Sequence, residues 1–67
     1  MRNGKDLLVR IVAMLTELSE AEAENLLAQC DGELKTAVVV DLKSVTPEEA
    51  RWLLLDAGGH LRLALEK

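Results

Sequence analysis

Ser19 to Val38 reads S-E-A-E-A-E-N-L-L-A-Q-C-D-G-E-L-K-T-A-V, and Thr46 to Leu65 reads T-P-E-E-A-R-W-L-L-L-D-A-G-G-H-L-R-L-A-L. Displaced by 27 residues, the two stretches share Glu22/Glu49, Ala23/Ala50, Leu26/Leu53, Leu27/Leu54, Gly32/Gly59, Leu34/Leu61 and Ala37/Ala64, with Ser19/Thr46 and Lys35/Arg62 as conservative pairs. So many agreements at one fixed offset mark an internal repeat. Each copy gives the same physical instructions: a cap, an apolar helix, a glycine turn and a short second helix. Ser19-x-x-Glu22 and Thr46-x-x-Glu49 read as capping boxes, in which the hydroxyl accepts an orphan N–H and the glutamate reaches back to the cap. Leu18 precedes the first box as a hydrophobic staple. Pro47 stands at the first helical position, where its missing N–H costs nothing. Asp31-Gly32 and Gly58-Gly59 stop the two helices at about Cys30 and at Asp56 or Ala57.

Outward from the repeat, a helix of roughly Lys5 to Thr16 is expected upstream. Leu8, Ile11, Val12 and Leu15 form its stripe, and Leu7, Met14 and Leu18 widen it. Residues 1–4 are expected to lie outside the ordered domain. Glu33 to about Leu42 is apolar nearly all round. Its three valines could suggest a strand, but the repeat aligns this piece with His60 to Leu65 and no second strand exists to pair with it. A helix apolar on every side belongs at the centre. The fold class is therefore all-α: a single domain over residues 1–67, a small bundle of five helices built from a repeated helix-turn-helix.

On the fourth helix the inward stripe is Ala50, Leu53, Leu54 and Ala57. Trp52 and Leu55 fall on a second face, where the first copy has Asn25 and Ala28. Large apolar groups there call for a covering surface. The preferred expectation packs Trp52 on the first helix, against Leu7 or Met14. The alternative makes Trp52 and Leu55 an interface to another domain or to a second copy of the chain.

The composition narrows the function. A net charge of −4 disfavours nucleic acid and anionic membrane surfaces as partners, and without Tyr or Phe no base-stacking platform can be assembled. No apolar run approaches the ~18 residues of a membrane span. Cys30 is the only cysteine, so no disulfide forms within the chain, and its place on an apolar face suits a small core residue in a reducing cytoplasm. No catalytic constellation is visible, and no metal or cofactor is expected. His60 is the only histidine, so neither a triad nor a histidine metal cluster can be built. The acids Glu20, Glu22, Glu24, Glu48 and Glu49 stand in first turns, where the helix dipole favours anions. Gly58-Gly59 lacks the spacing and the lysine of a phosphate loop. Lys35 and Arg62, each just after a glycine turn, oppose the dipole of the helix they open. With His60 they are the candidates for an anion or domain contact, against the plainer reading of solvated side chains.

At this point a family resemblance becomes specific. The run Gly32-x-Leu34-Lys35-Thr36-Ala37-Val38-Val39-Val40, then Thr46-Pro47-Glu48-Glu49-Ala50, then Ala57-Gly58-Gly59-His60-Leu61-Arg62-x-Ala64-Leu65 resembles the C-terminal tail of N-acetylmuramic acid 6-phosphate etherases. Arg10-Ile11-Val12 and Ser19-Glu20-Ala21-Glu22-Ala23 resemble the stretch before it. Val40, where the family often has Met, and Trp52, on a helix usually more polar, depart from the pattern. The resemblance implies a cytoplasmic bacterial lyase of cell-wall sugar recycling, which converts N-acetylmuramic acid 6-phosphate to N-acetylglucosamine 6-phosphate and D-lactate. It also implies that the catalytic glutamates and phosphate-binding serines belong to an N-terminal sugar-isomerase-type domain not represented here. No catalytic residue carries over. The expected role is an accessory cap or dimer contact, inactive alone, whose partner is the sugar-isomerase-type domain. The helix-turn-helix with G-x-L-x-x-A also resembles ubiquitin-associated domains. The Met-Gly-Phe or Met-Gly-Tyr loop of ubiquitin binders is replaced by Leu15-Thr16-Glu17-Leu18, so the fold is implied without the activity. A free-standing protein-interaction module is the alternative function.

Overall fold

The repeat returns in the backbone hydrogen bonds. In the first copy Gly32 N donates to Leu27 O at 2.8 Å and Asp31 N to Ala28 O at 3.4 Å; in the second, Gly59 N donates to Leu54 O at 2.7 Å and Gly58 N to Leu55 O at 3.0 Å. Both are Schellman stops, which satisfy carbonyls that the end of a helix leaves unpaired. The bonds that open the next helix also recur, from Ala37 N to Glu33 O and from Ala64 N to His60 O, both at 3.0 Å. Asp31 at φ 55 occupies the left-handed place that Gly58 holds at φ 68.

The structure, a computed structural model, describes residues 4–66. Five α-helices follow in order: α1 (Gly4–Thr16), α2 (Glu20–Gln29), α3 (Leu34–Lys43), α4 (Pro47–Asp56) and α5 (Leu61–Glu66). No strand occurs among the described residues. The expectation for residues 1–4 lies outside the described residues except at Gly4, which opens α1.

Local sequence explains several boundaries. Ser19 and Glu22 close a full box: Glu22 N donates to Ser19 Oγ at 3.2 Å, and Ser19 N to Glu22 Oε1 at 3.1 Å. At Thr46 the box is half made. Glu49 N donates to Thr46 Oγ1 at 3.1 Å, but the Glu49 carboxylate takes the Thr46 hydroxyl at 3.2 Å instead of the backbone N–H. Pro47 occupies N1 as expected. α3 ends at Ser44, which adopts φ 55 while Val45 N donates to Val40 O at 3.2 Å.

The core has two centres, and α3 belongs to both. Val9, Val12, Ala23, Leu26, Leu27 and Cys30 meet Ala37 on one side of α3; Ala50, Leu54, Ala57 and Ala64 meet Val39 on the other. Val40 packs against both clusters. α3 touches each of the other four helices, which is why its sequence is apolar all round.

On α1 the buried face is turned by one residue from the expected stripe. Val9, Val12 and Thr16 are buried and Ala13 half-buried; of the expected stripe, Val12 is buried, Leu8 and Ile11 are half-buried and Leu15 is exposed. The reason is Thr16: its hydroxyl donates to Val12 O at 2.6 Å, so the polar residue enters the core satisfied and ends the helix. Leu7 and Met14, expected to widen the stripe, are exposed at 61% and 81%.

Candidate functional site

The two turns of the repeat face each other, and each is held by a basic side chain from the opposite copy. Arg51, on α4, reaches the α2–α3 turn. Its Nε donates to Glu33 Oε1 at 3.1 Å and its Nη2 lies 3.2 Å from Asp31 Oδ2. Glu33 Oε1 also accepts the hydroxyl of buried Thr36 at 2.8 Å. In return Lys35, on α3, reaches the α4–α5 turn, where its Nζ donates to Gly59 O at 2.7 Å. At the start of α3 a cation is unfavourable, but Lys35 places its charge at the carbonyl end of α4, where the dipole favours it. The hydrogen bonds from Thr36 and then Arg51 hold the Glu33 carboxyl below its ordinary range. Glu33 in turn holds the Arg51 guanidinium above its own.

Between these clasps runs an open groove of about 850 Å³. Leu34 and Leu54 form its floor, Leu55 one wall, and Arg51, Lys35 and Gly59 its polar edge. Beside it on α4 stands Trp52, 67% exposed, and Leu55 is 72% exposed. The expected packing of Trp52 on the first helix is thus not found. Its indole points out, and so do Leu7 and Met14, the side chains it was expected to meet. The turned face of α1 accounts for this, because burying Val9 and Val12 carries Met14 round to the surface.

Of the three candidate cations, Lys35 lines the groove and is engaged with Gly59. Arg62 is nine-tenths exposed and lies 3.6 Å from Glu66 along its own helix. His60 is exposed at the turn before α5. Asp31, Glu33 and Arg51 escaped the sequence reading. The available signal was a mismatch within the repeat: Arg51 stands where the first copy has Glu24, and Glu33 where the second has His60. Cys30 is fully buried, and burial pushes its thiol up, so it stays protonated and inert at neutral pH. Among the described residues no group of His, Cys, Asp and Glu side chains is arranged to hold a metal. None of the described helices is long and apolar enough to cross a membrane.

The chain is 52% identical over 61 aligned residues to N-acetylmuramic acid 6-phosphate etherase of Rhodopirellula baltica, covering 87% of this chain and 20% of that protein. The etherases of Yersinia pestis (strain Pestoides F) and Yersinia pseudotuberculosis (serotype O:1b, strain IP 31758) are each 48% identical over 56 residues, or 84% of this chain and 19% of theirs. This chain is homologous to a segment of the etherases. It spans about one fifth of the length of the etherases it matches. No family profile matches the chain, and no solved structure does. The etherase likeness thus rests on sequence alone, and it agrees with the motifs from Gly32 to Leu65.

Proposed function

We propose that this chain acts as an accessory C-terminal helical domain of an N-acetylmuramic acid 6-phosphate etherase, inactive alone and working in the bacterial cytoplasm. The observation that carries the reading is the alignment: nearly the whole chain matches, yet it accounts for only 19–20% of each relative. A segment of that size suits a capping or contact role on a sugar-isomerase-type domain. Lys35, His60 and Arg62 then serve domain contact rather than the sugar phosphate. Lys35 already donates to a backbone carbonyl and Arg62 lies beside Glu66, so neither is a bare cation awaiting an anion.

A second reading, a protein-interaction module of ubiquitin-associated type, is favoured by one observation. α1, α2 and α3 enclose a core cluster of their own, as a three-helix module would. The two readings share a fold and differ in partner.

Removing the matched segment from the Rhodopirellula baltica etherase should abolish its release of D-lactate, and inserting this chain in its place should restore it. The isolated chain, given N-acetylmuramic acid 6-phosphate, should release no D-lactate above a buffer blank. Full activity of the shortened etherase, or turnover by the isolated chain, would contradict the proposal.

A further inference from the structure

Among the described residues, large exposed apolar side chains occur on α1, α3, α4 and α5, with Leu42 on α3 and Leu63 on α5 each about half exposed. The most exposed are on two of them: α1, with Leu7 and Met14, and α4, with Trp52 and with Leu55, which lines the groove floored by Leu34 and Leu54. From the α4 face we infer the docking surface of the domain: Trp52, Leu55 and the groove take an uncharged apolar surface of the sugar-isomerase-type domain. The inference rests on the etherase reading and adds to it the contact face.

Three observations favour this face and this occupant. Burial of polar groups is costly unless they are already paired, and those around this groove are paired within the chain. Arg51 is held by Glu33 and Asp31, Thr36 by Glu33, and Lys35 by Gly59 O. A partner can therefore cover the groove without supplying a counter-charge. The two acids and two bases at this face cancel, in a chain whose net charge is −4, so neither a basic peptide nor an acidic one is selected. A surface combining a large aromatic, a neighbouring leucine and a hollow has the composition of an interface core. As to the occupant, some four fifths of each related etherase lies outside the matched segment. An apolar surface of that remainder is the partner such a segment would meet. The repeat adds a comparison: Trp52 and Leu55 replace Asn25 and Ala28 on one copy only. The internal packing of the bundle does not need them, since Trp52 and Leu55 are mostly exposed.

The test uses the Rhodopirellula baltica etherase carrying this chain in place of its own segment, with hydrogen exchange followed by mass spectrometry. In the chimera, amides of α4 should exchange at least about tenfold more slowly than in the isolated chain, as expected for a helix covered by a partner. The double variant Trp52→Ser, Leu55→Ser should remove that slowing and lower the melting temperature of the chimera. The same pair should leave the isolated chain's melting temperature unchanged, which separates docking from folding. Protection of α1 instead, removed by Met14→Ser, overturns the choice of face. Self-association of the isolated chain that depends on Trp52 overturns the choice of occupant in favour of a second copy. A chimera that releases no D-lactate whatever the variant overturns the etherase reading itself.

Discussion

Among the described residues, three other than glycine hold left-handed backbone: Glu17 at φ 62, Asp31 at φ 55 and Ser44 at φ 55. Each carries a steric cost that glycine avoids. Glu17 is exposed in the link between α1 and α2, so it isolates the backbone effect. Glu17→Gly is expected to stabilise the chain by about 0.5–1 kcal/mol, the relief of the left-handed strain less the extra freedom of the unfolded chain. Gly59→Ala should do the reverse. Gly59 has φ 84 and open space where a Cβ would go, so its cost of about 1 kcal/mol comes from backbone conformation alone. Thermal melts read both, since 1 kcal/mol moves the midpoint of a domain this small by about 4–8 °C. Equal melting temperatures for all three proteins would remove this account of the turns. At this scale the sequence was partly legible. Ser19 with Glu22 states its hydrogen bonds outright, because both partners lie within one turn. The bond from Lys35 to Gly59 spans 24 residues and that from Arg51 to Glu33 spans 18. No local rule can pair such groups before the fold has brought them together.

Helices were legible where a start and a stop were both written in side-chain chemistry. α2 and α4 have a hydroxyl cap and a Schellman stop, and α3 is fixed by alignment with α5. α1 was readable only from its apolar stripe, and that stripe does not include Thr16. Its hydroxyl returns to Val12 O, which makes it a core residue. Two glutamates tie the helix starts to pH. Glu22 is held below the ordinary value of 4.5 by Ser19, and Glu33 by Thr36 and Arg51. With the folded value depressed, the unfolded chain takes up protons first as the pH falls. Stability from these groups is therefore complete above about 4.5 and is lost as the pH falls through their folded values. Urea midpoints measured downward from neutral pH should decline more steeply for the parent than for Glu22→Gln with Glu33→Gln. Parallel declines would show that the two carboxylates do not contribute.

Across the whole molecule, the candidate site shows the same division between what sequence carries and what it does not. Trp52 and Leu55 were identifiable as misfits in the repeat, because an internal comparison exposes them without any structure. Their being on the surface was not legible, since that depended on how α1 turns. The groove lined by Leu34, Leu54 and Leu55 lies between α3 and α4, and α3 is shared by two core clusters. Sharing one helix also sets how the domain unfolds. Neither half keeps its core without α3, so α1–α3 and α3–α5 should fold as one unit. Differential scanning calorimetry of the isolated 67-residue chain tests this most directly. The prediction is one transition whose calorimetric and van't Hoff enthalpies agree, at about 45 kcal/mol if the midpoint lies near 60 °C. Two transitions, or a calorimetric enthalpy well above the van't Hoff value, would show that the two repeats fold separately and would contradict the shared-helix architecture.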